Sequence, residues 1–477
     1  MTTAVTRATR SMPSAVIATA AAGVLAIACG MAFAVDVRAG AGIALAAVGV
    51  PFALLDLPLV IAAWAALTVF ARHGSFGQAA TAVGLLVLGG WLAHARTDRA
   101  SIGAALRPHR RLLTVVALLV GWLTLSLAWT ENPGSAASKL GDWYVNAAAL
   151  IVLLTSVRTP RAVRLVVGAV VLAVVAAVGL ALAGIDLASA EAPQGAAVVQ
   201  GRLQGVAGDP NFMAAFIVPA IVLAAALRGA VGSHAKALLA VAVVVLVVGL
   251  AATQSRGGLL GALVALVAAF VAMRGRRGAV LGAGAVALLV IGVWLSANPG
   301  ALERLQSAEQ DRGNGREDLW LVAWRMSGDH PVTGVGLNAF RVHSGEYVRQ
   351  PGALSYVDLV VDRPHVVHNT YLEMLAETGV VGLGLTLAMA LIAVISALQA
   401  ARRFERVGER GLAVLARGVV AADAGLLTAA FFISAQATAT VWVLLAVGPM
   451  LLGVALGFPS AAGARAFRPL GSRSRLP

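Results

Sequence analysis

The sequence predicts an all-α polytopic membrane protein, and three observations lead to that prediction. Of the 477 residues, 59% are hydrophobic and only 12% are charged, and the mean hydropathy is +0.86. Runs of Ala, Val, Leu and Gly that are long enough to cross a hydrocarbon core of roughly 30 Å recur along most of the chain. These runs are continuous, whereas the strands of a membrane β-barrel alternate apolar and polar residues. The composition therefore excludes a soluble globular protein.

Hydrophobic runs predict about 12 to 14 transmembrane helices, with 14 preferred. The closely spaced spans 40–55 and 57–71 have an alternative, in which together they form a hairpin that does not cross the membrane fully. The predicted spans lie near residues 13–34, 40–55, 57–71, 78–94, 112–129, 143–157, 162–184, 211–227, 236–252, 257–273, 279–297, 369–398, 412–433 and 437–457.

The distribution of Lys and Arg predicts the orientation in the membrane. With 14 spans, the basic loops near residues 96–111, 158–164, 228–236, 274–277 and 401–410 all fall on the side of both termini, which we therefore assign to the cytoplasm. The opposite side receives residues 129–143, 185–210, 253–258 and 297–368. Because the charge of +14 resides in short loops between helices, it indicates membrane topology rather than a nucleic-acid partner.

The longest loop, 297–368, differs from the basic loops in composition. It contains nine acidic residues, seven arginines and four of the eight histidines of the chain. Because a structureless loop of this length is unusual, we predict a small extracytoplasmic subdomain. Within it, "REDLWLVAWRMSGDHP" (316–331) predicts a short amphipathic helix with Leu319, Ala323 and Met326 on one face, and "TGVGLNAF" predicts a Gly-rich turn.

Cofactor motifs do not occur in the sequence. We find no phosphate-binding P-loop, no HExxH, no Cys/His metal spacing and no DxD pair for a divalent cation. The single cysteine, Cys29, excludes an internal disulfide. The sequence therefore predicts neither a metal nor a cofactor.

Arg202 and Arg256 stand on the predicted outer side next to a span, where arginines are uncommon. Arg256 in "TQSRGGLLGAL" begins a span, where a guanidinium together with free helix N–H groups could bind a phosphate. The alternative is an arginine that extends to the membrane interface. Arg202 and Asn211 belong to "GRLQGVAGDPNFMAAF", in which a helix cap is a sufficient explanation for Asn211.

The segment "RPHVVHNTYLEMLAETGVVGLG" (363–384) places histidines and glutamates at the start of an apolar helix. The pKa of a histidine near 6.5 suits His368 to general-base catalysis, although helix capping by the His-Asn pair also explains it. His365 is interpreted as incidental. Glu373 and Glu377 form an i, i+4 pair to which the sequence assigns no role.

These four motifs, "GRLQGVAGDPNFMAAF", "TQSRGGLLGAL", "GREDLWLVAWRMSGDHPVTGVGLNAF" and "HNTYLEMLAETGVVGLG", occur in an order that resembles the O-antigen ligase/polymerase superfamily. The resemblance is concentrated between about residues 200 and 395. It implies a GT-C-like helical glycosyltransferase that is inverting and independent of metals. The implied donor is a glycan on undecaprenyl diphosphate, at the outer face of the cytoplasmic membrane. The implied acceptor is a lipid-linked sugar, a growing polysaccharide or a protein.

The resemblance also implies roles for individual residues. Arg202 and Arg256 would hold the diphosphate and His368 would be the essential histidine, while Arg316, Asn211 and Tyr371 would be secondary substrate contacts. It divides the chain into N-terminal helices (1–199), a catalytic core (200–398) that includes the loop 297–368, C-terminal helices (399–457) and a basic cytoplasmic tail (458–477).

The alternative function is that of a flippase-like transporter of a lipid-linked oligosaccharide or polysaccharide. Transport by alternating access predicts charged groups near the middle of the membrane. A glycosyltransferase instead predicts reactive groups gathered at one face. The candidates in this sequence gather at one face, which favours the enzyme.

Overall fold

Helices form nearly all of the computed structural model, which describes residues 49–72, 74–185, 198–199, 201–306, 316–348 and 366–459. The predicted span 13–34, most of the span 40–55, Cys29, His365 and nearly all of the tail 458–477 lie outside the described residues. The helices of membrane length or nearly so are α1 (Leu57–Phe70), α2 (Gly74–Thr97), α4 (Arg110–Leu125), α5 (Pro133–Ser156), α6 (Pro160–Leu182), α7 (Pro210–Leu227), α8 (Ser233–Thr253), α9 (Arg256–Ala272), α10 (Arg277–Ala297), α14 (Thr370–Arg406), α15 (Arg410–Ala429) and α16 (Ala439–Leu456). Four shorter helices are α3 (Arg99–Leu106), α11 (Pro299–Gln306), α12 (Arg316–Asp329) and α13 (Phe340–Val348).

The helices confirm the predicted fold class. Within the described ranges, nine helices are long and apolar enough to cross a membrane, and two shorter apolar helices, α1 and α9, accompany them. Every predicted span from residue 57 onward coincides with a helix. The protein is therefore an all-α polytopic membrane protein, whereas a total of 14 crossings stays a prediction.

Helix α5 begins ten residues earlier than the sequence-based boundary at 143. The side chain of Asn132 caps it by accepting a hydrogen bond from the backbone N–H of Ser135 at 3.1 Å, and Pro133 occupies the first turn. Lys139 and Asp142 interrupt the apolar pattern in this part of the helix, where they form an exposed ion pair at 3.4 Å. Most of the predicted loop 129–143 is therefore helical.

Basic loops meet at one end of the bundle. The guanidinium of Arg164, at the start of α6, donates to the carbonyl of Ala230 just beyond the end of α7. Arg403 near the end of α14 donates to the carbonyl of Ala455 near the end of α16. The loops that the sequence assigns to the cytoplasm thus lie together, as the topology requires.

The opposite end of the bundle gathers the polar loops. The amide of Asn338, in the loop between α12 and α13, donates to the hydroxyl of Ser135 at the start of α5 at 2.6 Å. Arg72, just after the end of α1, donates to the carbonyl of Ala207 just before α7. We refer to this end as the polar end. Its assignment to the outer face of the membrane stays a prediction.

Residues 316–348, which we call the loop subdomain, fold into α12 and α13 at the polar end, whereas a subdomain over the whole segment 297–368 stays a prediction. Helix α12 spans Arg316–Asp329 and buries Leu319, Ala323 and Met326, the three residues predicted to share one face. These side chains belong to a separate apolar cluster, to which Phe340 of α13 also contributes. The loop subdomain rests on the start of α14 through Ala376 of the same cluster.

Helix α14 is interrupted nine residues after its start, where Gly379 adopts φ 66° and ψ −171°. The break frees carbonyls of the first helical segment, and the loop that follows α12 satisfies two of them. Val335 N–H donates to Ala376 O at 3.0 Å and Gly336 N–H to Glu377 O at 2.8 Å. The indole of Trp122 satisfies the carbonyl of Thr378 at 2.9 Å. The sequence-based span 369–398 is therefore two segments joined at a glycine.

We predict that Gly379→Ala destabilises the protein. A Cβ at this position would overlap the backbone of Val332, and the positive φ alone costs a residue with a side chain about 1–3 kcal/mol. The measurement is the thermal unfolding midpoint of the solubilised protein. Gly384→Ala is the matched control, because Gly384 lies in the same helix and a Cβ there meets nothing within 4 Å. Equal midpoints for the two variants would contradict the importance of the break.

Candidate functional site

The segment 201–212 is the part of the polar end on which most of the candidate residues converge. It contains β2 (Arg202–Leu203), a single 3₁₀ turn and the start of α7, and β2 pairs antiparallel with β1 (Val198–Val199), which precedes the segment. Asp209 caps α7 through its Oδ1, which accepts the N–H groups of Asn211 at 2.7 Å and Phe212 at 3.0 Å. This is the helix start that the "DPN" sequence predicts.

Arg202 is tied to the turn between α8 and α9. Its Nε donates to the carbonyl of Thr253 at 3.0 Å, and the amide of Gln254 donates back to the carbonyl of Gly201 at 2.8 Å. Gln254 adopts a left-handed φ of 50°, an uncommon backbone conformation for a residue with a side chain. The turn and the hairpin therefore hold each other in a fixed position.

Asn211 joins the starts of α7 and α9, which corrects its interpretation as a cap. The cap is Asp209, and the side-chain oxygen of Asn211 instead accepts a hydrogen bond from the hydroxyl of Ser255 at 2.8 Å. Ser255 in turn caps α9 by accepting the N–H of Gly258 at 3.1 Å. Arg256, the first residue of α9, is exposed beside this joint.

Arg316 approaches the same segment from the loop subdomain. It begins α12, is partly buried and interacts electrostatically with Asp209. Burial lowers the pKa of this guanidinium, and the nearby Asp209 carboxylate opposes that shift. Arg202, Arg256 and Arg316 are therefore grouped around the beginnings of α7 and α9.

Residues 430–434, which follow α15, connect this group to His368. The ring of Phe432 lies against Gly257, so closely that a Cβ at Gly257 would overlap it. The ring of Phe431 packs edge-on against Trp320 of α12, with centroids 5.3 Å apart. At the other end of the same five residues, the hydroxyl of Ser434 accepts the backbone N–H of His368 at 3.1 Å. Arg256 and His368 therefore flank a single short segment.

The backbone of His368 is held in a left-handed conformation, with φ 53°. The next residue, Asn369, is fully buried and caps α14 by accepting the N–H groups of Tyr371 and Leu372 at 3.0 and 3.1 Å. The capping that the sequence suggested for the His-Asn pair is thus performed by Asn369. His368 is only partly buried.

Glu373, to which the sequence assigned no role, supports the peptide of His368. Its carboxylate accepts hydrogen bonds from the hydroxyl of Ser434 and from the amide of Gln436, the latter at 2.7 Å. It also interacts electrostatically with Lys139. The hydrogen bonds run from the Glu373 carboxylate through the Ser434 hydroxyl to the backbone N–H of His368. They fix the position of the His368 backbone.

Glu377 has a different partner from Glu373, although the two lie one turn apart. Its carboxylate accepts the backbone N–H groups of Asn338 at 2.9 Å and Phe340 at 3.2 Å, and thereby caps α13. Asn338 is left-handed, with φ 58°. Glu377 thus attaches the loop subdomain to the start of α14.

The side chain of Tyr371 makes its contacts within the protein. Its hydroxyl donates to the carbonyl of Leu427 in α15 at 2.6 Å. Its ring lies 6.3 Å from that of Phe431. These contacts support α14 against α15, and a substrate contact for Tyr371 stays a prediction.

Three residues at the polar end were not singled out from the sequence. Ser434 and Gln436 lie in "ISAQATA", a stretch without a recognisable motif. Arg72 follows α1 and donates from Nε to Ala207 O at 2.9 Å, with its guanidinium 4.4 Å from the ring centroid of Phe212. A usable signal for Arg72 was present, because the predicted topology places it on the outer side, where arginines are uncommon.

Comparison with known families adds a result that is independent of this geometry. The family profile described as O-Antigen ligase matches residues 241–387. The matched range includes Arg256, Arg316 and His368, whereas Arg202 precedes it. A search of curated proteins returned no match. The match indicates a membrane enzyme of the glycosyltransferase type and favours this class over a transporter.

We predict that Glu377→Gln loosens the loop subdomain. A glutamine presents only one oxygen to two N–H donors, and an unsatisfied buried donor costs about 1–3 kcal/mol. Hydrogen exchange at the peptide carrying Asn338 and Phe340 should therefore accelerate by roughly tenfold to a hundredfold. Glu346→Gln is the control, since the Glu346 side chain on α13 is 74% exposed. Unchanged exchange in Glu377→Gln would show that the attachment lies elsewhere.

Proposed function

We propose that this membrane enzyme, whose residues 241–387 match the O-antigen ligase profile, transfers a glycan from undecaprenyl diphosphate to an acceptor at the outer face of the cytoplasmic membrane. The acceptor is a lipid-linked sugar, a growing polysaccharide or a protein hydroxyl. Transfer proceeds with inversion at the anomeric carbon and without a metal ion.

The convergence of three arginines on the starts of α7 and α9 carries this proposal. Arg202 is fixed by the carbonyl of Thr253, Arg256 stands next to the Asn211–Ser255 joint, and Arg316 lies near Asp209. An Asp209 oxygen that caps α7 supplies part of the compensating charge. Guanidinium groups that lie near one another in this way suit an anionic diphosphate.

The chemistry of the leaving group explains why guanidinium groups suit this position. As the bond between the anomeric carbon and the phosphate oxygen breaks, its electron pair passes to the departing diphosphate, whose negative charge rises. Fixed donors that stand where this charge develops lower the barrier without reorganising during the reaction. The planar fork of arginine matches two phosphate oxygens at once. Fixed arginines thus take the role that a divalent cation has in other enzymes.

His368 is the general base in this proposal. The acceptor hydroxyl loses its proton to an imidazole nitrogen of His368 as the oxygen forms a bond to the anomeric carbon. Attack from the side opposite to the diphosphate inverts the configuration. The peptide of His368 is held by Ser434 and, through it, by Glu373, so that the imidazole starts from a fixed backbone position.

We predict that Arg256→Lys weakens donor binding. A lysine keeps the charge but not the two-pronged contact, and the loss of one such hydrogen bond to a charged group costs about 1.5–3 kcal/mol. The expected result is an increase of roughly tenfold to a hundredfold in the dissociation constant for undecaprenyl diphosphate. Arg161→Lys is the control, because Arg161 pairs with Asp56 at the basic end at 2.7 Å. An unchanged dissociation constant for Arg256→Lys would remove Arg256 from the donor site.

We predict that His368→Asn abolishes turnover while donor binding persists. Asparagine tolerates the left-handed backbone, so this variant removes the base without straining the loop. Loss of a general base lowers kcat by about 10²–10⁴-fold. His343→Asn serves as the control, since His343 on α13 contacts Glu346 and Glu131 rather than the His368 loop. Turnover of His368→Asn near that of the parent protein would exclude His368 as the base.

A further inference from the structure

We propose that Arg72 is an additional phosphate-binding residue of the donor site, contributed by the end of α1. This inference rests on the proposed function and deepens it, because it assigns a role to a helix outside the matched family region. The shared chemistry is recognition of phosphate oxygens by a guanidinium. The source that we assign is the diphosphate of the lipid-linked donor rather than a phospholipid headgroup.

Two contacts orient the Arg72 guanidinium. Its Nε donates to the carbonyl of Ala207 at 2.9 Å, and its Cζ lies 4.4 Å from the ring centroid of Phe212. Both partners belong to the segment 201–212, which also carries Arg202 and the Asp209 cap. A cation held over an aromatic face keeps a defined plane. Arg72 is therefore attached to the same segment as the other arginines.

The contacts of Arg72 leave most of its hydrogen-bonding capacity available. A guanidinium has five N–H donors, and the bond to Ala207 uses the single donor on Nε. Among the described residues, the two Nη nitrogens of Arg72 make no hydrogen bond, and the side chain is exposed. The Nη edge is the part of the group that grips two oxygens of a phosphate side by side.

The local charge balance favours an anionic ligand. Arg72 and Arg316 each interact with a residue of segment 201–212, to which Arg202 and the acidic Asp209 also belong. One oxygen of Asp209 is engaged by the N-terminus of α7. The guanidinium groups of Arg72 and Arg316 therefore suit an anionic ligand at this point.

A purely structural role would not need an arginine with these properties. A tie between α1 and segment 201–212 requires one donor for the Ala207 carbonyl and an apolar contact with Phe212. Lysine satisfies both requirements, because its ammonium donates to carbonyls and makes cation–π contacts with aromatic rings. What lysine lacks is the pair of Nη donors that lie in one plane in arginine. Replacement by lysine therefore separates the two roles.

The experiment compares Arg72→Lys, Arg72→Gln and Arg161→Gln in the full-length protein. The probes are undecaprenyl diphosphate, undecaprenyl monophosphate and phosphatidylglycerol, and the readouts are dissociation constants and the thermal unfolding midpoint. We expect Arg72→Lys to retain the parent midpoint and to bind undecaprenyl diphosphate at least about fivefold more weakly. Arg72→Gln should bind it more weakly still. Arg161→Gln should bind it like the parent protein.

Three results would overturn the assignment. Parent-like diphosphate binding by Arg72→Gln would show that Arg72 does not contact the donor. A loss of binding that accompanies an equal loss of thermal stability in both variants would show a structural tie. Weaker binding of phosphatidylglycerol alone would identify a phospholipid headgroup as the ligand. Failure of the parent protein itself to bind undecaprenyl diphosphate would instead refute the proposed function.

Discussion

The arrangement of the polar end depends on the break in α14 at Gly379. Without it, the carbonyls of Ala376 and Glu377 would be consumed within a continuous helix, and the loop after α12 would have nothing to pair with. With it, those carbonyls accept the N–H groups of Val335 and Gly336. The free carbonyls of the broken helix thus hold the loop subdomain by hydrogen bonds. Irregular backbone is tolerated at this position because it is enclosed by protein.

The same short helical segment supports both the loop subdomain and the candidate base. Glu377 binds the start of α13, and Glu373, one turn earlier, binds the residues that hold His368. Buried carboxylates are expensive unless they are fully hydrogen-bonded, and each of these accepts two hydrogen bonds. The i, i+4 spacing places the two carboxylates on one side of the segment. Any shift of this segment would move the loop and His368 together.

Sequence patterns predicted the helices well and the junctions poorly. Long apolar runs located every described span, and the amphipathic pattern located α12, because periodicity reflects burial directly. The start of α5 was misplaced because Lys139 and Asp142 interrupt its apolar pattern, although Asn132 and Pro133 were adequate start signals. The break at Gly379 was missed because a glycine within an apolar run is equally compatible with close helix packing.

The candidate site shows a similar division. Arg202, Arg256 and His368 could be identified from the sequence because they lie near the ends of predicted spans. The structure brings Arg202 and Arg256 together, and His368 lies on the other side of residues 430–434. Ser434 and Gln436 could not be identified from the sequence, because they matter only through contacts with a residue more than 60 positions away. Asn211 was interpreted as part of the helix cap because its hydrogen bond to Ser255, 44 positions away, cannot be recognised in the sequence.

Two helices that each have one end at the polar end, α1 and α9, are shorter than the hydrocarbon core of a bilayer. Their 14 and 17 residues rise about 21 and 26 Å, less than a hydrocarbon core of roughly 30 Å. Such hydrophobic mismatch is relieved by local thinning of the lipid. Arg72 follows the first helix and Arg256 begins the second, so thinning of the lipid around these helices would bring its polar boundary towards the two arginines. A polyprenyl tail arriving there would have less hydrocarbon to cross before its headgroup reaches the protein.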